Sequence, residues 1–401
     1  MSYLIGQGGT KLHLPKITGY IFAGVLFGPH LLKLLETHTV LQLKFIDDMA
    51  LTFIALAAGG ELRLKDLRAR WRNILLTIVG LTGVVIVGVT FATFALRSLM
   101  PFLTDRSTAE ILSIVALLGI LSVARSPASA IAVISECRAK GPFTETVLGV
   151  TVAMDILVIL LFAIAAAICG AVTLPGKAAD VGLLLVLVAN ILLSVVMGLL
   201  VGWGLSVYIR RVGAELPILI IVLAFLVTHF SHSLADYLEY AHDLSLHLEP
   251  LLICMTAGFA VQNFSPQGAR FITAIERVAL PVYAIFFAIV GAAIDLNVLR
   301  ISWQIALLLV LVRAATVYAG AYLGGRVSGD PPLFNRLSGL SFITQAGVSL
   351  GLASEIMRRF PEFGPPLATL AIAAITLNQL IGPVTLKYAL TRVGEAGAAE
   401  L

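Results

Sequence analysis

Twelve apolar runs follow one another through this chain, separated only by short charged or Pro/Gly-rich breaks. They lie at 17–35, 45–62, 73–99, 109–135, 144–171, 181–209, 216–232, 247–262, 277–295, 302–325, 337–355 and 366–389, lettered a to l in that order. Most are long enough to span the hydrocarbon core of a bilayer. A backbone in hydrocarbon has to satisfy its own amide groups, so such runs fold as helices. Composition agrees: 59% of the 401 residues are hydrophobic and 12% are charged, and the mean hydropathy is +0.99. Water-soluble domains do not carry such values. The expected fold class is an all-α polytopic membrane protein with about 12 transmembrane helices. Cys137, Cys169 and Cys254 are too few and too scattered for a disulfide framework. The net charge of +4 sits in short loops and needs no nucleic-acid partner.

Lysine and arginine set the orientation. One set of alternate segments, including Arg63, Lys65, Arg68, Arg70 and Arg72, holds 17 of them; the other set, including Lys33, Arg97 and Lys177, holds 8. The first set is expected on the cytoplasmic side, which places both termini of this chain there. Arg125 and Arg313 belong to neither set, because they stand inside spans d and j.

A weak internal repeat runs through the chain. Phe53 and Glu61-Leu62 of span b recur as Phe287 and Asp295-Leu296 of span i, at an offset of 234. Pro15 and Gly24 at span a recur as Pro250 and Gly258 at span h. Spans a to e then pair with h to l in opposite directions across the membrane. Inverted repeats with a site near the midplane mark secondary transporters. Span g is left without a partner, whose place would precede residue 1. The start LIGQGGTKLHLPK reads as the tail of such a helix, so a first helix is expected to be missing.

The candidate chemistry centres on Asp155. It stands about 15 Å inside the helix expected for span e, taking about 1.5 Å per residue, and so near mid-bilayer. A carboxylate at that depth costs a few kcal/mol and defaults to an ion or proton site. Thr151 lies one turn earlier on the same face. Span d is interrupted at ILSVARSPASAIAVI, where Pro127 blocks regular helix around Ser126 and Ser129. A proline kink alone would read the same way. Span k, its repeat partner, has Thr344, Gln345 and Gly347 at its centre instead of apolar bulk, and two breaks in corresponding places favour an ion site. Broken helices present carbonyls and amides that hold ions. Arg313 needs a carboxylate, carbonyls or water. Asp155 is the first candidate, and the carbonyls of a broken helix would serve as well. Arg125 lies beside the break in span d. Asn378 and Gln379 in span l are expected to bond between helices. The pairs Gly198/Gly202 and Gly320/Gly324 are expected to mark close helix packing. His229 to Glu249, rich in His and acids, reads as a solvated outer loop and not a metal site. No metal-ligand cluster, nucleophile–base pair or phosphate loop stands out, so an enzyme is not expected.

Several stretches together resemble the monovalent cation:proton antiporters, on the branch of bacterial sodium/proton and potassium/proton exchangers. They are PKITGYIFAGVLFGP, ALTFIALAAGGELRL, ARSPASAIAVI, FITQAGVSLGLA, LPVYAIFFAIVGAAIDL and LNQLIGPVTLKYAL. The resemblance implies a 13-helix fold with the first helix absent here, inverted repeats and two crossing broken helices. It implies scaffold and dimer helices at 17–62 and 216–295, a moving core at 73–171 and 302–391, and a linker helix at 181–209. Asp155 matches the ion- and proton-binding aspartate, and Arg313 the basic residue facing it. A homodimer in the bacterial inner membrane, in contact with lipid, is implied. It would exchange Na+ or K+ for H+ by an elevator motion, with no cofactor. Met154 departs from the pattern, because a polar or charged residue usually precedes the aspartate. The alternatives are a cation channel, with Asp155 supplying field strength, and a sodium-coupled symporter of organic anions.

Overall fold

The structure, a computed structural model, describes residues 15–397 apart from 105, 174–180, 243–247, 295 and 346. Asp295 of the repeat, the stretch before Pro15 and part of the His-rich segment therefore lie outside the described residues. The helices are α1 (Lys16–Phe27), α2 (Thr37–Gln42), α3 (Lys44–Glu61), α4 (Leu64–Ala95), α5 (Thr108–Leu121), α6 (Pro127–Glu136), α7 (Pro142–Thr173) and α8 (Val181–Arg211). They continue with α9 (Leu216–His242), α10 (Pro250–Phe264), α11 (Gly268–Ala292), α12 (Leu296–Ser328), α13 (Pro332–Ser338), α14 (Gly347–Arg359) and α15 (Gly364–Val393). Short 3-10 turns at Arg97–Leu99, Pro101–Leu103 and Gly339–Phe342 complete the described elements. Each of the twelve predicted spans falls on one helix or on one broken pair. Seven described helices are long and apolar enough to cross a membrane.

Local sequence explains the ends. Ser107 and Glu110 form a reciprocal capping box at the start of α5, the Glu110 carboxylate accepting from the Ser107 amide at 2.8 Å. Proline occupies an early position in α6, α10, α13 and α15, where its missing N–H costs nothing. Gly394 closes α15 at φ 84°, a left-handed conformation that glycine adopts freely.

Two predicted loops are helix. Residues 64–72 form the first turns of α4, and 233–242 extend α9. Hydropathy falls at both places, but neither holds a proline or glycine, so the hydrogen-bond ladder continues past the apolar run. The solvated-loop reading of the segment from His229 is thus corrected as far as His242. Among the described residues no group of three or more His, Cys, Asp or Glu could hold a metal.

The chain divides into two compact units. Unit 1 is Met1–Ala69 with Gly182–Ile294, so α8 belongs to it; unit 2 is Arg70–Val181 with Asp295–Leu401. In unit 1, α1 packs on α11 and α3 packs on α10. Both pairs interlock through glycines laid on carbonyls. Gly24 meets Ala288 and Gly291 meets Ile21 in one pair; Gly59 meets Met255 and Gly258 meets Leu56 in the other. Small residues allow this approach where lipid supplies no hydrophobic drive between helices. Under the repeat the two pairs are equivalents of each other. Gly198 and Gly202 of α8 lie on α10, as expected of a packing motif.

In unit 2, Gly320 and Gly324 of α12 lie on Gly80 and Leu76 of α4. Arg70 donates to Asp330 at 2.7 Å and to Thr146 at 3.1 Å, while Asn73 also donates to Asp330, at 2.7 Å. These bonds tie the first turns of α4 to the α12–α13 corner and to α7. The other end of the chain closes on α7 as well. The buried Glu395 carboxylate accepts from the amides of Phe143 and Thr144 at 2.8 and 2.7 Å and from the Thr144 hydroxyl at 2.7 Å. It thereby satisfies amide groups that the first turn of a helix leaves open.

Candidate functional site

Both interruptions expected from sequence are present, and both lie in unit 2. α5 ends at Leu121, and α6 starts at Pro127 with Ser126 as its extended N-cap. The Ser126 hydroxyl accepts from the Ser129 amide at 3.2 Å and donates to the Ser129 hydroxyl at 3.0 Å. In the second broken helix, α13 continues through the 3-10 turn to Phe342, and α14 resumes at Gly347. Span k therefore begins earlier than its apolar run, at Pro332.

The breaks are bonded to each other through side chains. Arg313 of α12 is 2% exposed. Its Nε donates to the Ser122 carbonyl at 2.9 Å, Nη1 to the Ile343 carbonyl at 2.6 Å and Nη2 to the Ala124 carbonyl at 3.2 Å. One guanidinium fork thus spans both breaks. Of the acceptors open to Arg313 on sequence grounds, main-chain carbonyls take these bonds. Arg125 is 1% exposed, and its Nη1 donates to the same Ser122 and Ala124 carbonyls at 3.1 and 3.2 Å. Two cations sit on the carbonyl end of α5, where the helix dipole is negative. The Gln345 amide nitrogen donates to the Leu121 carbonyl at 3.1 Å, and its oxygen accepts from the Asn378 amide nitrogen at 2.8 Å. Asn378 thus bonds from α15 to the second break; Gln379 is buried, and its amide nitrogen has no partner among the described residues.

The structure thus gathers Arg125, Arg313 and Gln345 into one cluster. Thr344, Ser126 and Ser129, all buried, neighbour that cluster along the chain. Thr151 and Asp155 stand on α7, which packs on both α5 and α6. The Thr151 hydroxyl donates to the Val147 carbonyl at 2.7 Å, leaving its oxygen free to accept. Asp155 is half-buried, whereas Met154 before it is fully buried. A carboxylate, several hydroxyl oxygens and helix ends in one unit suit a small cation or a proton. Sequence reasoning did not reach the carbonyls of Leu121, Ser122, Ala124 and Ile343, because a main-chain group carries no residue signal. It also missed Glu395, which meets its donors 252 residues away in the chain.

An all-α polytopic membrane protein with two broken helices joined at their interruptions has the architecture of a secondary transporter. Residues 1–392 match the family described as sodium/hydrogen exchanger, transmembrane, and the chain belongs to that family. The resemblance to monovalent cation:proton antiporters is borne out. The chain is 24% identical over 400 residues to the Na(+)/H(+)-K(+) antiporter GerN of Bacillus cereus, covering 96% of this chain and 92% of that one. Its fold is similar to that of the sodium proton antiporter MjNhaP1 from Methanocaldococcus jannaschii. For the structure at pH 8 the TM-score is 0.69 at 16% identity, covering 99% of this chain and 96% of that one. For an electron-microscopy structure the TM-score is 0.73, also at 16% identity, covering 98% and 93%.

Proposed function

We infer that this membrane protein exchanges Na+ or K+ for protons at Asp155 by an elevator motion. The observation that carries the reading is the joining of the two breaks by Arg313 and Gln345, in the same compact unit as the helix bearing Asp155. The protonated carboxyl is a poor cation ligand, so proton and cation compete for one group. Hydroxyls of Thr151, Ser126, Ser129 and Thr344 complete an oxygen-lined site, with Gln345 holding the second break in place. Arg313 and Arg125 offset negative charge there, and Pro127 marks the first break. If the core moves only when the site is loaded, competition alone yields exchange. Unit 2 supplies the moving core. The helices of unit 1 other than the linker α8 supply the scaffold of a homodimer set in lipid, in a bacterial inner membrane with both termini of this chain cytoplasmic. With Met154 offering neither a second carboxylate nor an amide, one proton exchanges per cation and transport is electroneutral.

Proteoliposomes test this. Cation-driven proton flux is expected in the wild type, unchanged by an imposed voltage, and reduced to background in Asp155→Asn. Flux persisting in that variant removes Asp155 from the mechanism. Strong voltage dependence in the wild type removes only the one-to-one ratio.

A further inference from the structure

The hydrogen bonds between the two broken helices run in a fixed direction. A carbonyl oxygen only accepts, so the Gln345 group facing Leu121 is its amide nitrogen. The Gln345 oxygen must then face outward as an acceptor, and it takes the Asn378 amide nitrogen at 2.8 Å. Asn378 is left presenting its own side-chain oxygen, which no group among the described residues satisfies, at 0% exposure. The Asn378 amide is thus oriented by its neighbours. One helical turn further along α15, on the same face, stands Gly382. A side chain there would strike the Thr344 hydroxyl, so that hydroxyl lies directly against α15. The Thr344 oxygen is also buried, 4% exposed, and also unsatisfied. Two unsatisfied oxygens are therefore found beside the second break: one on Asn378, the other on Thr344, which lies against Gly382 one turn further along α15. Orphaned buried acceptors carry a desolvation cost, which a ligand that needs oxygens relieves.

We propose that the Asn378 side-chain oxygen and the Thr344 hydroxyl oxygen bind a dehydrated monovalent cation. Asn378 is then a specificity-determining ligand of the transported ion. The inference rests on the exchange reading above and adds a neutral amide ligand from α15 to it. Alkali ions take several neutral oxygens beside at most one or two carboxylates, so amide and hydroxyl oxygens suit them. Gly382 is the cradle for this arrangement, because any larger residue would displace Thr344.

The test uses the purified full chain. Thermal unfolding is followed while Na+, K+ or Li+ is titrated at constant ionic strength with choline, and transport is measured in proteoliposomes. Asn378→Leu and Thr344→Val are each expected to raise the apparent cation constant about tenfold. Each is also expected to change the ratio of the Na+ to the K+ constant. A merely structural role would lower stability and turnover while leaving that ratio untouched. Gln345→Met separates the two roles, since it breaks the bond to Asn378 but leaves the Asn378 oxygen in the molecule. Should Asn378→Leu not fold, the smaller Asn378→Ala, which also removes the oxygen, carries the decision. Unchanged cation constants and an unchanged ratio in the folded variants overturn the proposal, as does a wild type that no alkali cation stabilises. Loss of flux in Asp155→Asn with unaltered constants in the other two would leave the exchange reading standing and remove only Asn378 and Thr344.

Discussion

The two broken helices share a backbone plan and differ in what their breaks offer. The first presents the carbonyls of Leu121, Ser122 and Ala124, and every one accepts a side-chain donor. Two of those donors, Arg313 and Gln345, come from the second half of the chain. The second break gives the Ile343 carbonyl to Arg313 and keeps the Thr344 oxygen unsatisfied. The two interruptions share a shape, and their side-chain chemistry differs. One break is held as a receiver of hydrogen bonds; the other supplies donors and retains free oxygens. Duplicated backbones therefore do not imply two equivalent ion sites.

The largest effect on this asymmetry comes from Arg313. Arg313→Ala withdraws donors from three carbonyls spread over both breaks. Hydrogen bonds to a charged group are worth about 1.5–3 kcal/mol each, so stability should fall by about 4 kcal/mol or more. Arg313→Lys keeps the charge without the fork and should lose about half as much. Unfolding in detergent micelles reads both; an alanine variant as stable as wild type would show that Arg125 holds the first break alone.

Next comes Gly382→Ala. The added methyl would lie 2.5 Å and 2.6 Å from the Cα and amide nitrogen of Thr344, main-chain atoms that have no rotamer to escape into. Overpacking of this kind costs about 1–3 kcal/mol and should distort the second break but not the first. Amide exchange would show faster opening near Thr344 with the segment around Ser122 unaffected; equal changes at both breaks would mean they move as one.

Pro127→Ala should do less. An alanine at the first position of α6 is well tolerated, and the carbonyls before it stay bonded to Arg125, Arg313 and Gln345. A loss within about 1 kcal/mol is expected. A collapse of stability would show that the proline, and not its basic neighbours, makes the break.

The smallest effect lies where the first broken helix ends. Cys137 caps α6, and burial, with the negative charge of Glu136 beside it, pushes its thiol up to about 11. The reactive thiolate is then a trace species at neutral pH. Alkylation should rise about tenfold per pH unit until near that value, whereas an ordinary thiol levels off near ~8.5. A plateau at the ordinary value would mean that the end of α6 opens readily.

Much of this was legible in sequence, for reasons that also mark the limits. Pro127 announced the first break, because a missing N–H is visible in the letters. The second was legible only as polar Thr344 and Gln345 where bulk was expected, and it gained weight from its partner. Arg125 and Arg313 stood out as charges outside the loops. Their acceptors did not, since any residue could have supplied the Ser122 or Ile343 carbonyl. Asn378 was visible as a polar group at depth, but the direction of its amide depends on Gln345 and Leu121. The helical extensions at 64–72 and 233–242 were hidden because hydropathy reports the surrounding solvent, not the backbone ladder.

The bond between Glu395 and the start of α7 has a consequence for how the molecule is made. A ribosome completes Phe143 and Thr144 some 252 residues before it reaches their acceptor. Throughout that interval the first turn of the helix carrying Asp155 waits with its amides open to whatever surrounds the translocon. All twelve apolar runs described above have been synthesised by the time the cap arrives. Closure of this helix therefore waits on residue 395, and a nascent chain stopped just short of Glu395 would hold those twelve runs yet leave this end unsealed.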